Sequence, residues 1–460
     1  MSDTTTPYTR PVHFVGIAGA GMSALAELYL RRGYAVTGCD TTLAAAADLE
    51  RLGVHVLHGH DASHVEGASE VVYTSAVPND HPELQRAREL GIPVIRRAEA
   101  LGKAVSGGHL IGVSGTHGKT TTTVMTTEAL SAAGLDPTGV AGGRVGLWNG
   151  NLKAGSDKLF VVEADEYDRS FHALSPTVAI VTNMEADHLD IYPGGIEEIR
   201  AAFAQYVAGA DFIVLCADDP GASSLPTPNT SEVIRYGTAS ADARLVAQGI
   251  EPVNGGSRFQ VVYDGKPEGS VTLKVPGMHN IRNALAAIAA GMALDVPLDK
   301  LKAGLESFTG VERRFQLIAD ISGVTIVDDY AHHPTEIRAT LEAARSAFPG
   351  RRVIAAFQPH LYTRTRDFQR EFAEALLLAD VAFLCDLYPA REKPIEGVSS
   401  EMIAGPMRAG GSPPQWQGPR DSLANALEQF VQPGDVVLTI GAGDITRTGP
   451  ELRDRLQERL

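Results

Sequence analysis

Short apolar runs alternate along the chain with longer stretches in which apolar residues recur at helical spacing. Val12-His13-Phe14-Val15 reads as a strand, Ala20 to Arg32 as a helix rich in Ala and Leu, and Tyr34 to Cys39 as the next strand. Glu70 to Thr74 and Pro93 to Ile95 continue the series. Alternating β and α runs imply an α/β fold, a parallel sheet with helices on its faces. The pattern restarts near His109 with the strand Leu110-Ile111-Gly112-Val113, a glycine loop and a helix from Thr121 to Ala133. Buried strands are expected at Lys158 to Val162, Val178 to Thr182 and Phe212 to Cys216. Between Leu245 and Leu273 the period changes to two around the turn signals Asn254-Gly255-Gly256 and Asp264-Gly265, which predicts antiparallel hairpins at a sheet edge. A third run starts near Arg313, with strands at Thr325 to Val327, Arg352 to Phe357, Val381 to Leu384 and Asp435 to Ile440. At roughly 150 residues per domain, a chain of 460 residues divides into three domains, 1–105, 106–312 and 313–460.

Charge and composition narrow the function. A formal net charge of −16 argues against a nucleic-acid partner, because phosphate backbones are bound by excess Lys and Arg. Small phosphorylated ligands need only local positive groups and stay open. No apolar stretch approaches the roughly 20 residues of a membrane span. Met1 to Arg10 is polar and lacks the apolar core of an export signal. Cys39, Cys216 and Cys385 lie far apart, without CxxC spacing, in or next to apolar runs. They read as buried thiols in a reducing cytoplasm.

Two glycine loops follow strands and open helices. In Gly16-Ile17-Ala18-Gly19-Ala20-Gly21, Ala18 stands where a dinucleotide fingerprint has its second glycine, which weakens a simple NAD reading. The loop still offers amides to an anion at a helix N-terminus, and Asp40, ending the next strand, stands where a ribose or base contact lies. NAD, FAD and UDP-sugars all suit it, and a ligand-free tight turn is the plain alternative. Val113-Ser114-Gly115-Thr116-His117-Gly118-Lys119-Thr120 is more specific. A standard P-loop has glycine where Val113 stands, but the Gly-x-x-Gly-Lys-Thr core is intact. It offers amides to phosphate oxygens, a mobile charge from Lys119 and a hydroxyl for Mg²⁺ from Thr120.

Acidic and histidine groups then recur after strands. Glu163-Ala164-Asp165-Glu166 places three carboxylates at a strand end, where α/β proteins bind ligands and where like charges need a cation. Thr182-Asn183-Met184-Glu185-Ala186-Asp187-His188-Leu189-Asp190 follows another strand. Carboxylates with phosphate oxygens suit Mg²⁺, whereas His188 suits Mn²⁺ or Zn²⁺ better. Asp328-Asp329-Tyr330-Ala331-His332-His333-Pro334 offers paired histidines for proton transfer, and in Gln358 to Arg366 Arg364 is a candidate for gripping a carboxylate. Two such motifs at neighbouring strand ends point to one cleft.

In this order the motifs resemble the Mur ligase family over nearly the whole chain. The markers are Gly19-Ala20-Gly21-Met22-Ser23, Gly115 to Thr121, Glu163 to Glu166, Thr182-Asn183 with Asp187-His188, Pro276-Gly277-Met278-His279-Asn280 with Asn283, Arg313-Arg314-Phe315, and Asp328 to Pro334. The resemblance implies Rossmann-like outer domains around a P-loop-like ATPase domain. The first would bind the UDP-sugar, the second ATP, and the third the amino acid while closing over the site. It is closest to the members that join L-alanine to the lactyl carboxylate of UDP-N-acetylmuramate through an acyl phosphate, in peptidoglycan precursor synthesis. Carried over by position, Gly115, Thr116, His117, Gly118, Lys119, Thr120 and Thr121 would cradle ATP, and Asn280 and Asn283 would meet adenine. Thr120 and Glu163 would hold one Mg²⁺ (or Mn²⁺) and His188 a second. Arg314 would contact phosphate; Tyr330, His332 and Arg364 would meet L-alanine, His332 serving also in catalysis with Lys119, Glu163, His188 and Arg314. Gly19, Ala20, Gly21, Met22 and Ser23, with Asp40 and Ser75, would hold UDP.

The sequence departs from some relatives. Phe203 stands nearest to a carbamylated lysine that alanine-specific members also lack, Leu361 replaces an arginine near the amino acid, and His81 replaces an asparagine near the sugar nucleotide. Tyr167 replaces a serine, as it does in the ligase that recycles murein tripeptide. The expected protein is a monomer or homodimer working on small molecules, without a nucleic acid or a membrane span. An NAD-linked dehydrogenase would leave the second glycine loop without a purpose, and a P-loop switch would hydrolyse ATP without co-substrates.

Overall fold

Three parallel or mostly parallel sheets carry the chain in a computed structural model that describes residues 10–189, 191–390 and 392–459. The polar start Met1 to Arg10, except Arg10 itself, and Asp190 of the Asp-His motif lie outside the described residues. The strands of the first sheet are β1 (Val12–Val15), β2 (Val36–Asp40), β3 (His55–His58), β4 (Glu70–Tyr73) and β5 (Val94–Arg96). Their order is β3-β2-β1-β4-β5 and every pairing is parallel. β1 is buried at all four positions because helices cover both faces of a parallel sheet. The strand order reverses between β1 and β4, and a crevice outside the carboxyl ends of the strands at such a switch is where α/β sheets bind ligands.

The second sheet repeats this logic with β6 (His109–Ser114), β7 (Thr138–Val145), β8 (Gly150–Lys153), β9 (Leu159–Glu163), β10 (Val178–Val181), β11 (Phe212–Cys216), β12 (Glu232–Gly237), β13 (Leu245–Val253), β14 (Gly256–Tyr263) and β15 (Lys266–Leu273). The order is β15-β14-β13-β12-β11-β10-β6-β9-β7-β8, so the period-two stretch does lie at one edge. β6 sits between β10 and β9, parallel to both. The helix Lys119–Ala132 leaves β6 and is buried from Thr120 to Leu130. Thr126 and Thr127 give their hydroxyl protons to the carbonyls of Thr122 and Thr123, each at 2.7 Å, which satisfies polar groups inside an otherwise dry helix.

The third sheet contains β16 (Gln316–Ile321), β17 (Val324–Asp329), β18 (Arg352–Phe357), β19 (Val381–Cys385), β20 (Trp416–Gly418) and β21 (Asp435–Ile440), in the order β16-β17-β21-β18-β19-β20. β17 and β21 are buried at all six positions, between apolar clusters built around Ile337, Leu341 and Phe372 and around Leu423, Leu427 and Leu452. Only β16 runs antiparallel to its neighbour there, as an edge strand. By contacts the chain forms two compact units, one of Met1–Gln248, Gln260–Val271 and Arg282–Phe308, the other of Gly249–Phe259, Thr272–Ile281 and Thr309–Leu460. No described helix is long and apolar enough to cross a membrane.

Strands that the apolar pattern does not announce are short, polar or glycine-rich. β3 has a histidine at each end, β7 carries three glycines, and β16 mixes exposed and half-buried residues at an edge. Their pairing comes from neighbouring strands rather than from their own hydrophobicity.

One acidic residue shows how tightly the second sheet is finished. Asp218, just after β11, accepts hydrogen bonds from Thr238 N and Oγ1 (both 2.8 Å), Ala239 N (3.0 Å), Ser240 N (2.9 Å) and Arg282 Nε (2.9 Å). Burial alone raises its pKa, but the hydrogen bonds from Thr238, Ser240 and Ala239 outweigh it and hold the carboxyl well below the usual range. A depressed carboxylate pKa stabilises the fold above the unfolded value, about 4, and this contribution is lost as pH falls below it. Asp218→Asn is expected to cost about 2–4 kcal/mol at pH 7. Urea unfolding at pH 7 and at acid pH should show the difference between wild type and variant shrinking as pH drops; an equal difference at both would contradict the assignment.

Candidate active site

The loop after β6 needs backbone angles that glycine supplies: φ is 135° at Gly115 and 83° at Gly118. Its far side is stapled to the end of β10. Asn183 Oδ1 accepts from His117 N at 2.8 Å, Thr182 Oγ1 donates to His117 O at 2.6 Å, and Thr116 Oγ1 accepts from Glu185 N at 2.9 Å. Lys119 opens the helix and folds back over the loop. Its Nζ donates to Gly115 O at 2.8 Å and to Glu166 Oε2 at 2.8 Å and Oε1 at 2.9 Å. Burial by itself lowers the ammonium's pKa, but Glu166, Asp165 and Glu163 outweigh it and keep Lys119 charged well above its usual range. Thr120 and Thr121 lie buried in the first turn.

The carboxylates reach this loop through sheet register. β6 pairs with β9 so that Val113 lies opposite Glu163, which places Glu163 to Glu166 beside the loop. Glu163 Oε2 accepts from Gly142 N at 2.7 Å. His188 has φ of 53°, and its Nε2 lies 3.8 Å from both Glu166 Oε1 and Asp187 Oδ2. Its ring meets Tyr167 edge-on, centroids 5.1 Å apart. Hydroxyl and carboxylate oxygens are the donors of a hard cation, so Thr120 and Glu163 fit Mg²⁺; the imidazole of His188 is better matched to Mn²⁺. Phe203 is fully buried and packs edge-on against Phe171 at 5.2 Å. Asn283 stands against the loop: a Cβ on Gly118 would lie 2.7 Å from its Oδ1.

A cavity of about 560 Å³ opens at the switch point of the first sheet, lined by Gly19, Ala20, Gly21, Met22 and Asp40 and reaching Glu163 and Asp165. Asp40 also braces the loop, accepting from Ala18 N at 3.0 Å. Ser23 instead lines a second cavity of about 350 Å³. Ser75 is exposed, and its neighbours Thr74 and Ala76 line the larger cavity in its place. Arg97 also lines it, a cation that sequence reading passed over because it opens a helix as one of two adjacent arginines. A Cβ on Gly21 would lie 2.9 Å from Arg97 Nη1, so a larger residue there would push the guanidinium aside.

In the other unit Asp328 and Asp329 end β17 and order the loops around it. Asp328 accepts from Thr439 Oγ1 at 2.6 Å, Thr446 Oγ1 at 2.9 Å and Arg313 Nε at 3.2 Å. Asp329 accepts from Phe315 N and Ala331 N, at 2.7 and 2.8 Å. The guanidiniums of Arg313 and Arg314 lie 4.9 and 5.1 Å from the Tyr330 ring centroid, and Arg314 Nη1 is 3.3 Å from Glu336 Oε1. Glu336 also accepts from His332 N at 2.9 Å. Rings of His332 and His360 are 6.0 Å apart, which brings the loops after β17 and β18 together. Arg364 is buried on the helix Tyr362–Asp367, whose entry residue Leu361 has φ of 70°. Asn280 Nδ2 donates to Pro276 O at 2.7 Å.

Three family models cover most of the chain: Mur ligase family, catalytic domain, over residues 11–109; Mur ligase middle domain over 113–291; and Mur ligase, glutamate ligase domain over 313–443. The chain belongs to the Mur ligase family. It is 44% identical to UDP-N-acetylmuramate–L-alanine ligase of Salinibacter ruber (strain DSM 13855 / M31), over 97% of this chain and 95% of that protein. It is 46% identical to the protein of the same name from Anaeromyxobacter sp. (strain Fw109-5), over 98% and 99%. Among solved structures, UDP-N-acetylmuramate–alanine ligase from Thermotoga maritima superposes with a TM-score of 0.85 at 30% identity, covering 98% of this chain and all of that one. A murein peptide ligase from Psychrobacter arcticus 273-4 follows with a TM-score of 0.71 at 25% identity, covering 97% and 98%.

In this Mur ligase, the Lys119–Glu166 ion pair and the Asn183 staple are features that sequence reading did not assign. Both join residues far apart in the chain, so no local motif could carry them. The motifs Glu163-Ala164-Asp165-Glu166 and Thr182-Asn183 gave the signal, without saying which carboxylate faces the lysine or what Asn183 holds.

Proposed function

We infer that this Mur ligase joins L-alanine to the lactyl carboxylate of UDP-N-acetylmuramate with consumption of ATP, forming ADP, phosphate and UDP-N-acetylmuramoyl-L-alanine for peptidoglycan precursor synthesis. The similarity to L-alanine ligases at 44% and 46% identity over nearly the full chain carries this reading. Residues 1–105 would bind the UDP-sugar, 106–312 ATP and 313–460 the amino acid. It would work in the cytoplasm, where thiols such as the three buried here stay reduced, and as a monomer or homodimer.

A carboxylate is a poor acyl donor because oxide is a poor leaving group. Transfer of the γ-phosphoryl group gives an acyl phosphate; the alanine amine attacks its carbonyl, the C–N bond forms, and phosphate departs with the electron pair of the C–O bond. Gly115 to Thr121 would cradle the phosphates, with Lys119 neutralising charge on the transferred group. Thr120 and Glu163 would hold a Mg²⁺ and His188 a second ion, and bound Mg²⁺ supplies charge neutralisation to the phosphate oxygens. Asn280 and Asn283 would contact adenine, and Arg314 a phosphate. Gly19 to Met22 with Asp40, joined by Ser23 and Ser75, would hold UDP. Tyr330, His332 and Arg364 would orient L-alanine, His332 as the group able to take the ammonium proton.

The test is phosphate release with UDP-N-acetylmuramate and each candidate amine. Release should require both the sugar nucleotide and L-alanine. Release driven by the murein tripeptide and not by alanine would favour the recycling ligase, whose kin share Tyr167. Brisk hydrolysis without co-substrates would remove the ligase reading.

A further inference from the structure

The first sheet gathers a second cluster that the reaction above does not use. His13 is on β1, Cys39 on β2, His64 on the short turn Ala62–Val65, and Glu83 in the first turn of the helix Pro82–Glu89. His13, Cys39 and Glu83 are fully buried. Glu83 is the hub: its Oε2 lies 3.3 Å from His13 Nε2 and 3.0 Å from Cys39 Sγ, and its Oε1 lies 3.2 Å from His64 Nδ1. One ligand atom from each of the four residues lies within 4.8 Å of all the others. Ligands about 2.0–2.3 Å from a tetrahedral ion are separated by about 3.3–3.7 Å; here the contacts to Glu83 are 3.0–3.3 Å and the other separations lie within 4.8 Å.

A buried carboxylate needs neutralising charge. Among the described residues, the ion-pair partners of Glu83 are His13, His60 and His64, with no lysine or arginine. Protons on the imidazoles, together with the hydrogen bonds from Cys39 Sγ and Asp61 N, are one solution, a metal ion the other. The contact behind His13 favours the ion. His13 Nδ1 lies 3.0 Å from Thr37 Oγ1, the kind of contact that fixes the tautomer of a ligating histidine and turns the Nε2 lone pair inward. His64 Nδ1 lies 3.2 Å from Glu83 Oε1 and 3.3 Å from Asp61 N. A thiolate, a carboxylate and two neutral imidazoles cancel a divalent charge inside a mostly buried site, and a thiolate with imidazoles selects Zn²⁺ over Mg²⁺.

We propose that His13, Cys39, His64 and Glu83 form a structural Zn²⁺ site tying the first two strands to the helix Pro82–Glu89. Binding breaks the Cys39 S–H bond and releases its proton to solvent as the Zn–S bond forms. His60, whose Nδ1 is 3.3 Å from Cys39 Sγ, also lines the larger cavity beside Asp40. The ion therefore braces the wall of the sugar-nucleotide site.

The experiment uses the full chain, stripped with a chelator and titrated with Zn²⁺ or Co²⁺ without nucleotide. The expected result is one equivalent of Zn²⁺ retained on dialysis, a rise in Tm, and with Co²⁺ a thiolate-to-metal charge-transfer band. Cys39→Ser should abolish the band, and His64→Asn should weaken binding. Lys119→Ala and Glu163→Gln should retain both signals, which separates this site from the phosphate loop. Absence of stoichiometric Zn²⁺ in the wild type, a Co²⁺ spectrum without the band, or a band surviving Cys39→Ser would each overturn the site and leave a proton-bridged cluster. The wild-type spectrum decides even if Cys39→Ser does not fold.

Discussion

Lys119→Ala is expected to lower kcat for alanine-dependent phosphate release by about a thousandfold or more, since removing one preorganised charge-stabilising donor costs about 10²–10³-fold and this one carries a full charge. The ammonium is held by Gly115 O and both oxygens of Glu166, so it is fixed before any phosphate arrives. Two effects must be told apart. The lysine and Glu166 side chains are only 13% and 4% exposed, and removing one member of a buried pair costs about 3–5 kcal/mol. The double variant Lys119→Ala with Glu166→Gln removes the uncompensated carboxylate. Thermal melts should show stability partly recovered in the double variant, while phosphate release stays lost. Near-wild-type release by the single variant would sink the placement of ATP at this loop.

Gly115→Ala should be almost as severe, for a different reason. Its φ of 135° is one that L side chains rarely adopt, and a Cβ there would lie 2.0 Å from Thr182 Oγ1 and 3.0 Å from the Asn183 backbone. Thr182 cannot simply turn away, because its hydroxyl holds the His117 carbonyl at 2.6 Å. Backbone strain of about 1–3 kcal/mol adds to about 1–3 kcal/mol of overpacking. Melting temperature should fall by several degrees and MgATP-dependent phosphate release should be lost. A variant with unchanged Tm and kinetics would show that the loop is not held as described.

Much of the fold was legible. Apolar runs such as Leu110 to Val113 and Arg352 to Phe357 are strands because a parallel sheet covered on both faces demands continuous hydrophobicity. β3, β7 and β16 were not legible, since polar or glycine-rich segments become strands only when a neighbour offers its hydrogen bonds. Of the site, the loop Gly115 to Thr121 and the acidic strand ends were readable from spacing alone. Arg97 in the cavity wall and Glu166 on Lys119 were not.

The sequence by itself determined the α/β alternation, the phosphate loop and the ordered set of motifs that marks a Mur ligase, because each is written in residues near one another in the chain. Tertiary structure alone decided which carboxylate meets Lys119, how Asn183 staples the loop, and that His13, Cys39, His64 and Glu83 share one buried centre. The physical reason is register. Parallel pairing of β1 with β2, and of β6 with β9 and β10, brings distant strand ends to one edge, and only there do charges close enough to matter find one another.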